Sequence, residues 1–207
     1  MPTFPLYWLD AFTDRVFTGN PAAVVPLAAW PADVVMQNIA FENGLAETAF
    51  FVRTGPARFH LRWFTPTVEV DLCGHATLAS AHVLFHELGQ TGEAITFDTL
   101  SGPLLVSRRE TWNLTLDLPA RPAALLDPTA VPAALSRCLL PAVPVSWSKV
   151  ATRPMYLAVF PRASDVLAVK PDFPLLASLG DTRVIVTAPG DDCVATAVGV
   201  LTQKGHG

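Results

Sequence analysis

Charge is scarce in this 207-residue chain. Asp, Glu, Lys and Arg make up 15% of it against 51% apolar residues, and mean hydropathy is +0.37. That balance excludes intrinsic disorder, and a chain of this length buries a core without covalent staples. Basic residues number 14 against 18 acidic ones, with no basic stripe, so the electrostatic footprint of nucleic-acid binding is missing. No long apolar run spans a membrane: the longest uncharged stretch, Val16 to Ala32, is broken by Gly19, Asn20, Pro21, Pro26 and Pro31. The N-terminus MPTFPLYWLD has no basic n-region, so no secretory signal is read. Cysteine is limited to Cys73, Cys138 and Cys193, which cannot all pair within the chain; reduced thiols in a cytoplasmic protein are the expectation. The absence of G-x-S-x-G, P-loop and G-x-G-x-x-G patterns removes serine-hydrolase, phosphate-loop and dinucleotide readings.

What charge there is divides unevenly. Residues 1–120 hold 6 basic and 12 acidic residues, including every Glu; residues 121–207 hold 8 basic and 6 acidic. The change falls in a Pro/Ala-rich stretch (Pro119, Pro122, Pro128, Pro132), which suits an extended connector. The expected organisation is a first domain over 1–120, a connector over 121–135, a partial second domain over 136–192 and a divergent tail over 193–207.

Short strands around a few helices are expected. The strand candidates are 5–12, 22–26, 48–53, 57–64, 94–98, 103–108, 112–118, 156–160 and 183–188. A helix is read over 33–43, with Val34, Val35, Ile39 and Ala40 on one face. A second runs from Gly74 to Leu88, closed by Gly89. Further helical stretches are read over 131–139, 164–169 and 173–179. Strands outnumber helices without regular alternation, which argues for an α+β fold.

Asp71-Leu72-Cys73-Gly74-His75-Ala76-Thr77 is the chemically suggestive segment. A strand ends before it and an apolar helix begins within it, so free N–H groups and the positive end of a helix dipole gather at Gly74, His75 and Ala76. Cys73 and His75 flank that point with groups able to move protons. Each alone has a plainer explanation, as a buried thiol or a satisfied core histidine. Glu47 enters a mostly apolar strand, where it is either a buried acid/base or an exposed loop residue. His75, His82 and His86 share a helix face, which invites a metal. Yet His82-Val83-Leu84-Phe85-His86 lacks the Glu of the metalloprotease motif and no further ligand set is evident, so no metal is expected.

Four ordered segments carry a family resemblance. They are Asp10 to Thr13 with Phe17 to Val24; Leu45 to Phe50; Arg62 to Pro66 running into Asp71 to Thr77; and Leu116 to Pro119. With these the sequence resembles the PhzF family, the phenazine biosynthesis-like domain-containing proteins of diaminopimelate epimerase-like fold. The resemblance implies a pseudo-symmetric pair of α+β domains, each a curled mixed sheet wrapped around a central helix, with the active site in the cleft between them. It implies Glu47 as general acid/base, His75 beside it and Cys73 where related epimerases keep a catalytic cysteine. It also implies that Asn20, Gly74, Ala76 and Thr77 bind substrate. The reaction implied is cofactor-independent proton abstraction and reprotonation on a small carboxylate-bearing metabolite, in a homodimer. No metal, flavin, nicotinamide or pyridoxal cofactor is implied, and no nucleic-acid or membrane partner.

The likeness weakens toward the C-terminus. The family's second half contributes an acidic residue and a second central helix. Here the chain runs from Arg183 to Asp192 in keeping with the family, then through Cys193 to Gly207 without a recognisable counterpart. A shortened or spliced form missing its second half-site is the expectation. With it go apolar surface and unpaired edges around 156–160 and 184–188, and low stability or rescue by oligomerisation. The alternative to an enzyme is a non-catalytic family remnant acting as an interaction or regulatory protein.

Overall fold

The computed structural model describes residues 3–109, 113–151, 153–190 and 197–201. The chain divides into two compact units, one ending at Pro119 and one beginning at Ala120.

The first unit is built on one sheet. Its strands are β1 (Tyr7–Ala11), β2 (Asn20–Leu27), β3 (Thr48–Gly55), β4 (Arg58–Phe64), β5 (Glu69–Val70), β6 (Ala94–Thr99), β7 (Gly102–Arg108) and β8 (Leu114–Asp117). Their order is β1-β2-β3-β4-β6-β7-β8, with β5 also beside β4. Two neighbouring pairs are parallel, β2 with β3 and β4 with β6. Parallel neighbours need a crossover, and the helices α1 (Asp33–Asn43) and α2 (Gly74–His82) lie on those two connections.

The helices take opposite faces of the sheet. Helix α1 buries Met36 and Ala40 against Val25, Leu27, Phe50 and Phe64. Helix α2 shares the other core with Ala22, Val24, Phe51, Trp63 and Phe97. Consecutive Phe50 and Phe51 therefore point to opposite sides, as the pleat requires, and cover on both faces is why β2 and β3 read as unbroken apolar runs. The α1 face differs from the sequence reading. Val34 is 63% exposed, because the pair facing the sheet is Met36 and Ala40.

Helix α2 packs against β1, β2, β3 and β8. Since β1 and β8 stand at opposite ends of the sheet order, the sheet curls around the helix. An enclosed helix has no polar face, and the small side chains of Ala76, Ala79, Ser80 and Ala81 let the strands close upon it. Its α-helical part ends earlier than expected. Val83–Glu87 is a π-turn, in which the Leu88 N–H donates to the Val83 carbonyl at 2.9 Å. Gly89, at φ +65°, then ends the helix while the Gln90 N–H reaches back to the Leu84 carbonyl at 2.8 Å.

The second unit holds a five-stranded sheet ordered β13-β12-β11-β10-β9. The strands are β9 (Ala123–Leu125), β10 (Ser146–Val150), β11 (Met155–Val159), β12 (Arg183–Ala188) and β13 (Ala197–Leu201). Helices α3 (Ala133–Cys138), α4 (Ala163–Leu167) and α5 (Phe173–Ala177) complete it. Its core joins Leu135, Leu139, Trp147, Tyr156, Phe160, Leu176, Val184 and Val186.

Two expectations are corrected here. The stretch read as an extended connector contains β9, paired antiparallel with β10, and a 3-10 turn at Pro128–Ala130 capped by the Asp127 side chain. Prolines at 122 and 128 bracket this edge strand without interrupting it, where proline is tolerated. The edges expected to be bare at 184–188 are paired on both sides, by β11 and by β13. Tyr156, Ala158 and Phe160 are likewise buried. Cys193 lies outside the described residues, as do 191–196 and 202–207 around β13. No helix among the described residues is long and apolar enough to cross a membrane.

Candidate active site

Glu47 stands one residue before β3. Gly44 ends α1 in the left-handed region at φ +63°, and the chain turns back so that the Glu47 carbonyl accepts the Ala23 N–H at 3.4 Å. Asn43 Nδ2 donates to the buried Thr48 Oγ1 at 3.1 Å, which fixes the same corner. The side chain is half-buried, between the two alternatives read from the sequence.

Cys73 and His75 arrive from the other side, at the start of α2. The approach is held twice. Arg62 grips both carboxylate oxygens of Glu69 at 2.7 Å and Asp33 of α1 at 2.9 Å, which pins β5. Ser101, in the β6–β7 turn, donates from Oγ to the Asp71 carbonyl at 2.7 Å. Within the helix, the buried Thr77 hydroxyl donates to the Cys73 carbonyl, and the Ser80 hydroxyl to the Ala76 carbonyl.

The three side chains converge. Cys73 Sγ lies 3.4 Å from His75 Nδ1, and His75 Nε2 lies 3.4 Å from Glu47 Oε2. One ligand-type atom from each lies within 4.8 Å of the other two. His75 is 9% exposed. Its Nε2 approaches the Glu47 carboxylate without making a hydrogen bond. Burial lowers the His75 pKa, against the opposing pull of the Glu47 charge and of the Pro21 carbonyl. The Glu47 contact is thus carboxylate to neutral imidazole at neutral pH, not an ion pair. Burial, then the Glu47 charge, push the Cys73 thiol up to about 12. The cluster therefore holds a carboxylate, a neutral imidazole and a protonated thiol.

The remaining site residues read from the sequence are placed as follows. Gly74 opens α2, and a methyl group there would meet no atom within 4 Å. With no acidic residue in the first turn, the helix N-terminus offers its positive end there. Ala76 and Thr77 are fully buried, and the Thr77 hydroxyl is engaged by the Cys73 carbonyl. Asn20 is exposed at the start of β2, next to Pro21, whose carbonyl reaches His75. His82 and His86 do not join His75. Their rings lie 4.4 Å apart between centroids, tilted by 33°, at the far end of the helix. A groove of about 1560 Å³ lined by Trp8, Leu78, His82 and Leu114 contains none of the three clustered residues. Ser101 and the Pro21 carbonyl were not anticipated. Their partners lie far off in sequence, and only the Ser-Gly turn at 101–102 signalled anything local.

Two outcomes follow from this geometry. Gly74→Ala should leave stability within about 1 kcal/mol of the parent yet weaken, at least about tenfold, any carboxylate-bearing ligand that docks at the helix N-terminus, because its methyl fills the space there. Binding titrations beside thermal melts check it. The second concerns pH. The buried Cys73 thiol adds stability that is complete below about pH 8.5 and is lost as pH rises from there toward 12. His75 and His82, both lowered chiefly by burial, add stability present above about pH 6.5 and lost as pH falls. Melting temperature should plateau between these limits, and Cys73→Ala should make the alkaline limb shallower, leaving the part that the raised Cys138 thiol supplies, without touching the acid limb.

A sheet curled around a buried central helix, with a carboxyl, an imidazole and a thiol gathered at that helix's N-terminus, defines a protein of the epimerase-like α+β class. The chain belongs to the phenazine biosynthesis-like (PhzC-PhzF) family, whose sequence model matches residues 9–199. An uncharacterized isomerase of Pseudomonas aeruginosa is 48% identical over 183 residues, covering 88% of this chain and 67% of that protein. The human phenazine biosynthesis-like domain-containing protein is 49% identical over 126 residues, covering 58% of this chain and 43% of that one. The crystal structure of a PhzF family protein of Enterococcus faecalis superposes with a TM-score of 0.83 at 38% identity, covering 96% of this chain and 73% of that one. A hydroxyproline epimerase of Agrobacterium vitis, at 9% identity and a TM-score of 0.57 over 98% of this chain and 71% of that one, shares the fold alone.

Proposed function

We propose that the protein is an acid/base isomerase or epimerase acting on a small carboxylate-bearing metabolite without an organic cofactor. The convergence of Glu47, Cys73 and His75 at the start of α2 carries this reading. The substrate carboxylate docks at the open N-terminus beside Gly74, where backbone N–H groups and the helix dipole favour negative charge. Glu47 takes a proton from the adjacent carbon; the C–H electron pair passes into an enolate, held by the same N–H groups. Return of the proton from Glu47 to another carbon, or delivery of a solvent proton to the other face, completes the isomerisation. Neutral His75, 3.4 Å from the Glu47 carboxylate, relieves it of that proton once the two close to hydrogen-bond distance, and the Cys73 thiol stays protonated beside it.

Family membership and the isomerase name of the P. aeruginosa relative support the same reading. Deuterium wash-in into a panel of small carboxylic acids with an acidic C–H, read by mass spectrometry, tests it. Exchange at one carbon of one acid, absent with Glu47→Gln, is the expected result. Exchange that survives Glu47→Gln removes Glu47 from its role, and no exchange with any acid favours the non-catalytic alternative.

A further inference from the structure

We propose that Glu47, Cys73 and His75 also form a Zn²⁺ site, so that zinc binds and reversibly closes the acid/base cluster. Among the described residues this is the one place where three His, Cys, Asp or Glu side chains bring ligand atoms together, all within 4.8 Å. The donor set is one sulfur, one imidazole nitrogen and one carboxylate oxygen, the borderline-soft mixture that zinc takes. Spacing agrees. With Zn–S near 2.3 Å and Zn–N near 2.0–2.1 Å, two donors of a tetrahedral zinc stand roughly 3.5 Å apart. Cys73 Sγ and His75 Nδ1 are already 3.4 Å apart. The Glu47 carboxylate faces the other ring nitrogen, Nε2, at 3.4 Å, so it takes the third position only after turning about its side-chain bonds; the fourth position is left to water or a substrate carboxylate.

Charge favours the ion. Zinc displaces the Cys73 thiol proton to solvent as the Zn–S bond forms. The dication is then balanced by one thiolate and one carboxylate, leaving a neutral cluster in a buried place. The Glu47 charge, which opposes a thiolate when the site is empty of metal, is cancelled by the ion. The neighbouring His82–His86 pair is the competing place for a metal, with two nitrogen donors and no sulfur.

Sulfur ligation gives an optical signature that does not depend on catalysis. Titration of the full chain with Co²⁺ should produce a thiolate-to-cobalt charge-transfer band and tetrahedral d–d bands at one equivalent, both abolished by added Zn²⁺. The bands should vanish in Cys73→Ser and in Cys73→Ala, two variants that differ in how they fill the buried space. They should persist in a Cys138→Ser, Cys193→Ser double variant and in His82→Gln. Glu47→Gln should weaken Zn²⁺ at least about tenfold by isothermal titration. No charge-transfer band, a band that survives both Cys73 variants, or one lost in the double variant or in His82→Gln overturns the site. The isomerase reading fails separately, by wash-in measured in chelator, where the zinc site predicts undiminished exchange.

Discussion

Glu47→Gln is expected to slow solvent-proton exchange into the substrate carbon by about 10²–10⁴-fold, the range a positioned general base supplies. The replacement is nearly isosteric, so the geometry around it survives. The backbone bond from the Ala23 N–H to the Glu47 carbonyl is untouched, as is the Asn43–Thr48 contact that fixes the corner. What is lost is an oxygen that can take a proton, 3.4 Å from His75 Nε2. Melting temperature should change little while exchange collapses. Glu47→Asp sharpens the measurement: it keeps the acid and withdraws it by one methylene, so it should restore part of the rate but not all. If Glu47→Gln and Glu47→Asp fall equally, position rather than proton capacity governs the step. His75→Gln should cost less than Glu47→Gln, since it removes the proposed relay and leaves the proposed base.

Much of this site was legible because its parts are local. Cys73, Gly74 and His75 sit within three residues at a strand-to-helix junction, and the apolar helix after them announces its own N-terminus. Glu47 stood out as one carboxylate before an apolar strand. Helix α1 and strand β12 fall at the residues read for them, since their boundaries coincide with a prolyl loop, a glycine or a charge. What escaped is what depends on contacts made elsewhere. The Ser101 bond to Asp71 joins residues 30 apart. Periodicity puts Val34 on one face with Val35, Ile39 and Ala40, but the position of β3 and β4 turns Met36 and Ala40 inward. The same holds for β9: Ala123–Leu125 has no strand signal of its own and becomes one only by pairing with β10. The π-turn after His82 has no composition cue at all.

Trp63→Ala should cost about 3–5 kcal/mol, a large share of the 5–15 kcal/mol that holds a domain folded. Trp63 is 1% exposed and among the largest fully buried side chains. It lies in register with Ala49 of β3 and Val70 of β5. Those positions are two residues after Glu47 and three before Cys73, so one indole spaces the two segments that carry the cluster. Trp63→Phe is the informative partner. The indole N–H is buried without a hydrogen-bond partner, and an orphaned donor costs about 1–3 kcal/mol. Removing it offsets much of the volume lost, so Trp63→Phe should melt within about 1 kcal/mol of the parent in denaturant titrations. A phenylalanine variant as damaged as the alanine one would mean that the N–H has a partner and that the indole is held by more than packing. If instead Trp63→Phe keeps both stability and exchange while Trp63→Ala loses both, bulk at this one core position sets the distance between Glu47 and His75.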